Sequence, residues 1–311
     1  MKRLLHLARL AGLALTLSTT PVLAQSDVTL ERLTFADGAG PAIEGGVWYP
    51  QDVAAGTALP LVVISHGNGG SWSGHAATAE ALARAGFMVA ALTHTGDNYR
   101  DQSRATDVAE RPRQLKVLID HMVSTWKGPA VVDAGRIGAF GFSSGGFTVL
   151  VAAGGRPDLA RVLEHCQANP GFYDCRLVAE QPPAAGALQS PWVNDARIRA
   201  VVAAAPALGY TFGRDGLAAV TRPVQLWRAG ADRVLPHPFY AQAVHDSLPT
   251  PPEYHVVEAA GHFDFMPPCS PQLASAAPFI CQPTPGLDRA VFQDDFNRQV
   301  VAFFQRTLVG Q

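Results

Sequence analysis

Three unbroken apolar runs set the pattern of the first half of the chain: LPLVVISH at 59–66, GFMVAALTH at 86–94 and RIGAFGF at 136–142. A strand with one face in water alternates apolar and polar side chains, so continuous runs of this length predict strands covered on both faces. Between the second and third runs lies ERPRQLKVLIDHMVSTW. There Leu115, Leu118, Ile119, Met122 and Val123 recur at helical spacing, and Pro112 falls where a first helical turn accepts it. The second half repeats the rhythm with RIRAVVAAAP, RPVQLWRAG and PEYHVVEAAGH, each a strand running into a loop. It closes on a helix from about Asp288 to Leu308 that carries Phe292, Phe296, Val300, Phe303 and Phe304 on one face. This alternation predicts an α/β fold: a mainly parallel central sheet with helices on both faces.

The rhythm breaks over residues 155–197, where prolines and polar residues accumulate around one pair of cysteines. A plain crossover needs far fewer residues, so this stretch is expected to be a small insertion over the C-terminal edge of the sheet, placed as a lid. The rest of 25–311 reads as a single domain.

Composition narrows the partners. With 48% hydrophobic and 16% charged positions, 311 residues suffice for a sizeable core. A formal net charge of -2 gives no electrostatic reason to bind nucleic acid or an anionic membrane surface, and neither is expected as a partner. At the start of the chain, Lys2, Arg3 and Arg9 precede the short apolar run LAGLALTL and then Val22-Leu23-Ala24, the layout of a signal peptide cleaved after Ala24. The run is too short for a membrane span, which needs about 18 apolar residues or more. The expectation is therefore export to the periplasm or the medium with no stable membrane association. Cys166, Cys175, Cys269 and Cys281 all follow that segment, and an even number in an exported chain predicts disulfides. Of three possible connectivities the local one, Cys166 with Cys175 and Cys269 with Cys281, closes two short proline-containing loops. Neither C-x-x-C nor H-E-x-x-H occurs, and no metal or cofactor is expected.

Candidate chemistry begins at Gly141-Phe142-Ser143-Ser144-Gly145, a G-x-S-x-G pentapeptide between a predicted strand and a predicted helix. A serine presented on so sharp a turn needs small residues two positions to either side. Gly141 and Gly145 satisfy this for Ser143, whereas Phe142 rules it out for Ser144. A serine hydroxyl is a poor nucleophile without a base, itself oriented by a carboxylate, and in this motif the partners follow in the order Ser, Asp or Glu, His. His262 lies on the loop after the last strand, directly after a glycine; His255 and His245 fall inside a strand and a helix. Asp232 ends the preceding strand at Gly230-Ala231-Asp232, and Asp264 is the runner-up. The oxyanion of an acyl-transfer intermediate needs N–H donors. The backbone of Ser144, at a helix start, and that of Asn68, in the loop His66-Gly67-Asn68-Gly69-Gly70 after the first long strand, are the candidates, with His66 bracing the loop.

On PLVVISHGNGGSW, GFMVAALTHTGDN, GRIGAFGFSSGG, AVVAAAPALG, LWRAGADRVLP and AGHFDFMPPCSP the chain resembles the α/β-hydrolases. More narrowly it resembles exported bacterial proteins of the predicted dienelactone hydrolase family, which are similar to platelet-activating-factor acetylhydrolases. The resemblance implies an α/β-hydrolase fold and a cofactor-free hydrolase. Two positions depart from it. Dienelactone hydrolases proper use a cysteine where Ser143 stands, and the acetylhydrolases carry their acid after the strand that reads AVVAAAPALG here, where no carboxylate occurs. The expected function is a serine carboxylic-ester hydrolase acting on small soluble esters of short to medium acyl length. The alternatives are a peptidase or amidase with the same triad, and a non-catalytic binding protein on a hydrolase scaffold. The compact-substrate expectation comes from Pro157, Pro170, Pro182, Pro183 and Pro191, which stiffen the insertion, and from the loop 267–285, which is expected to close the site behind His262.

Overall fold

The computed structural model describes residues 27–38, 40–187 and 190–310; the expected signal peptide lies outside them. The chain opens with β1 (Val28–Phe35), β2 (Ile43–Pro50) and β3 (Ala58–Ser65), followed by α1 (Ala76–Arg84), β4 (Met88–Leu92), α2 (Glu110–Ser124) and β5 (Val131–Phe142). Next come α3 (Ser144–Ala152), α4 (Ala160–Ala168), α5 (Tyr173–Glu180), β6 (Ile198–Ala204), α6 (Arg214–Leu217) and β7 (Val224–Ala229). The last elements are α7 (Ala241–Ser247), β8 (Glu253–Val257), α8 (Pro271–Ala276) and α9 (Arg289–Phe304).

Among the described residues the strands form one sheet in the order β1-β2-β4-β3-β5-β6-β7-β8. From β4 to β8 every pairing is parallel, while β1 and β2 are joined antiparallel at one edge. The unbroken apolar runs have the predicted cause. In β3, Leu61 and Val63 enter one core layer and Val62 and Ile64 the other. The first layer packs against Leu115, Leu118 and Ile119 of α2, Phe147 of α3 and Val244 of α7. The second packs against Leu82 of α1 and Phe296, Val300 and Phe304 of α9. Both faces of the sheet are covered, as the pattern requires, and full burial of each such side chain is worth about 1.5–3 kcal/mol.

The edge pair β1 and β2 escapes the apolar-run reading. β1 buries only Leu33 and Phe35, and β2 carries Gly45 and Gly46 in its first half, so neither presents a continuous hydrophobic segment. The 155–197 stretch holds two helices where the sequence pattern shows only a break. α4 buries just His165, and α5 just Asp174 and Cys175, so neither has an apolar stripe to read. The cysteines form Cys166–Cys175, which ties α4 to α5, and Cys269–Cys281, with Cα separations of 5.1 Å and 5.8 Å. Among the described residues no helix is long and apolar enough to cross a membrane.

Candidate active site

The parallel strands point their C-terminal ends the same way, and the loops leaving four of them meet. Gly141 pairs with Ser65 of β3 and with Ala203 of β6, so the turn after β5 stands beside the 66–69 loop. Ser143 occupies that turn with φ 55° and ψ -120°, a left-handed conformation that costs a non-glycine residue on the order of 1–3 kcal/mol. Its N–H donates to Ala204 O at 2.9 Å, and its carbonyl accepts from Ala207 N at 3.0 Å. The flanking glycines are compulsory: a Cβ on Gly141 would lie 2.0 Å from Gly145 O, and one on Gly145 would lie 1.9 Å from Ser65 O.

His262 follows β8 and reaches back over this turn. Its Nε2 accepts from Ser143 Oγ at 3.0 Å, and its Nδ1 donates to Asp232 Oδ2 at 2.7 Å. The other oxygen of Asp232 accepts from the N–H groups of Val234 and Leu235, both at 2.8 Å, which fixes the carboxylate. The His262 and Asp232 side chains are 3% and 5% exposed, so the ion-dipole chain runs through a medium from which water is largely excluded. The Phe142 ring, 4.9 Å from the imidazole, backs it. Asp264 is turned elsewhere: Oδ2 accepts from Gly261 N at 2.8 Å and Oδ1 from Arg289 Nε at 2.9 Å, so it shapes the histidine loop without touching the histidine.

Of the two candidate oxyanion donors, Ser144 adjoins the serine in sequence, and Asn68 follows Gly67, on which a Cβ would lie 3.2 Å from Ser143 Cβ. Ser144 is the first residue of α3, and Asn68 sits in the turn closed by Gly70 N to Gly67 O at 3.1 Å. Among the described residues neither backbone N–H has a protein acceptor. His66 braces the turn through Nδ1–H to Gly67 O at 2.6 Å while Nε2 accepts from His94 N at 3.0 Å. That pattern requires a neutral ring, and burial holds its pKa well below the usual histidine value.

Several residues around the site have no motif to announce them. In the insertion, Tyr173 donates its hydroxyl to Asn68 Oδ1. Beside it, buried Asp174 accepts from Tyr210 at 2.9 Å and from Tyr240 at 2.8 Å, joining α5 to the loops after β6 and β7. His165 stacks on Tyr210 at 3.7 Å between ring centres. His165, Asp174 and Cys175 lie close enough to suggest a metal site, but the Cys175 sulfur is committed to its disulfide, which leaves two ligands. The loop between β8 and α9 lies beside the histidine, with Phe263 edge-on to His262 at 5.2 Å and Phe279 edge-on to Phe263 at 5.6 Å. Ser143 is 9% exposed.

A model of the family described as platelet-activating factor acetylhydrolase, isoform II, matches residues 11–121, a stretch that contains the Asn68 loop and ends before Ser143. The structure is similar to that of a ferulic acid esterase from Streptomyces cinnamoneus, with a TM-score of 0.60 and 19% identity over 94% of this chain and 93% of that one. No curated protein matches the sequence. The sheet order, the helices on both faces and this structural likeness identify the fold as that of the α/β-hydrolases.

Proposed function

We propose that the protein is a serine carboxylic-ester hydrolase in which Ser143 is the nucleophile, His262 the general base and acid, and Asp232 the residue that orients the imidazole. The observation that carries the reading is the buried chain Ser143 Oγ to His262 Nε2 to Asp232, at 3.0 Å and 2.7 Å, on a strained turn. With Nδ1–H given to Asp232, Nε2 is free to take the hydroxyl proton as Oγ attacks the ester carbonyl. The oxyanion then meets the N–H groups of Asn68 and Ser144. Collapse expels the alcohol, which receives its proton from His262. A water attacks the acyl-enzyme with His262 again as base, and the second collapse releases the acid and restores Ser143.

The names of the matching family model and of the structural neighbour both denote ester-cleaving proteins, which favours esters over amides. The substrates are small and soluble. The insertion is tied down by Cys166–Cys175, by Asp174 and by Tyr173, and the facing loop by Cys269–Cys281, so the walls of the site are stiff and suit compact acyl groups. The 155–197 segment acts as the roof of the site within a single domain over 25–311. The two disulfides fit an oxidising compartment and so an exported protein. Purified protein assayed on acetyl, butyryl, octanoyl and palmitoyl p-nitrophenyl esters and on peptide anilides tests this. Highest kcat/KM is expected on the acetyl to octanoyl range; a preference for palmitoyl esters or for anilides contradicts it.

A further inference from the structure

The Asn68 loop is held from below by a buried polar cluster that the reaction as described does not use. Arg111 lies on the apolar stripe of α2, in register with Leu115 and Leu118, and is 2% exposed. Its guanidinium pairs with Asp97 Oδ2 and donates to His66 O, the carbonyl that opens the loop. Asp97 Oδ1 in turn accepts from Asn68 Nδ2 at 2.7 Å and from Gly69 N at 2.9 Å. On its other side Arg111 Nε donates to Thr148 Oγ1 at 3.1 Å, and that hydroxyl donates to Ser144 O at 2.7 Å. One side chain therefore ties together both strands of backbone that carry the oxyanion donors. The Asn68 carboxamide is engaged at both ends, its amino group by Asp97 and its oxygen by Tyr173, so it is occupied in holding the loop.

Resting on the reading of Ser143 as nucleophile, we propose that Arg111 and Asp97 are positioning residues that set the spacing between the Asn68 and Ser144 N–H groups, with the Asn68 side chain as their handle on the loop. A buried ion pair is an expensive way to stabilise a fold, since apolar residues of the same volume often do as well. What the pair supplies here is direction. A planar fork with several donors can hold one carboxylate, one carbonyl and one hydroxyl at fixed angles, and a lysine cannot. An oxyanion donor acts only if it stands near 3 Å from the developing charge before the reaction begins.

The test compares Arg111→Lys and Asn68→Ala with wild type, each normalised to active sites by fluorophosphonate titration. Asn68→Ala keeps the donating N–H and removes only the two side-chain tethers, from a half-buried turn outside both core layers, so the variant is expected to fold. Both variants are expected to lose about 10- to 100-fold in kcat with KM within about threefold, part of the 100- to 1000-fold that removal of a whole oxyanion donor costs. Affinity for an alkyl trifluoromethyl ketone should fall by the same factor. Its carbonyl carbon bonds Ser143 Oγ, whose proton passes to His262, and the resulting hemiketal oxygen occupies the oxyanion position. Unchanged kcat, or a rise in KM alone, in folded Asn68→Ala overturns the inference, and does so even if Arg111→Lys fails to fold. Wild type that neither reacts with the fluorophosphonate nor turns over esters overturns the underlying reading as well, an outcome distinct from an active wild type with unaffected variants.

Discussion

The residues that carry the proposed chemistry were legible because each is marked by backbone requirements that sequence records. Ser143 is marked by Gly141 and Gly145, which stand where a Cβ would collide with backbone at 2.0 Å and 1.9 Å. His262 and Asp232 are marked by their position just past a strand end, where a parallel sheet brings loops together. Asp232 accepts from the imidazole, while Asp264 is bonded to Gly261 N and Arg289. Asp232→Asn is expected to reduce kcat by about four orders of magnitude with the fold intact, because the histidine loses the anion that fixes its tautomer. Asp264→Asn should disturb the loop and cost far less; steady-state kinetics with circular dichroism on both variants checks this, and a reversed order refutes the assignment. Asp97, Arg111, Tyr173 and Asp174 were not legible as site residues. Their partners lie far away along the chain, and only Arg111 leaves a trace, a charge on an otherwise apolar helical stripe.

At the scale of elements, burial decided what could be read. Strands β3, β4, β6 and β7 bury most of their side chains, β5 buries its second half and helix α9 one face, and so they print a hydrophobic pattern into the sequence. Helices α4 and α5 do not: they are held by Cys166–Cys175 and by hydrogen bonds to single buried groups, which have no period. Their stability should therefore depend on the crosslink more than on packing. A Cys166→Ser, Cys175→Ser double variant is expected to lose about 2–3 kcal/mol locally by the chain-entropy estimate. Limited proteolysis should then cut first within 155–197 while the sheet remains protected. Initial cleavage elsewhere, or resistance equal to wild type, would show that packing alone holds the two helices.

For the whole molecule, the parallel sheet gathers loops from β3, β5, β7 and β8 at one edge, and the same gathering buries three histidines beneath the site. His66, His75 and His94 are at most 2% exposed, and burial depresses the pKa of each, that of His75 to about 4. Above the ordinary histidine value of about 6.5 they are neutral in folded and unfolded chains alike. Below it the unfolded chain binds protons that the folded one refuses, so stability falls as pH falls, by up to about 1.4 kcal/mol per pH unit for each histidine. For His75 the loss runs from about 6.5 down to about 4. Urea unfolding between pH 8 and pH 4.5 should show the midpoint level at first and then dropping, with a shallower drop in His75→Phe; a midpoint independent of pH through that window contradicts the account. What the gathered loops are for is decided most directly by trapping the intermediate. After an acid quench during turnover of p-nitrophenyl acetate, fragment mass spectrometry of the tryptic peptide 137–161 should find an acetyl group on Ser143; acetyl on Ser144, or ester turnover with no acyl-enzyme on this peptide, would contradict the proposal.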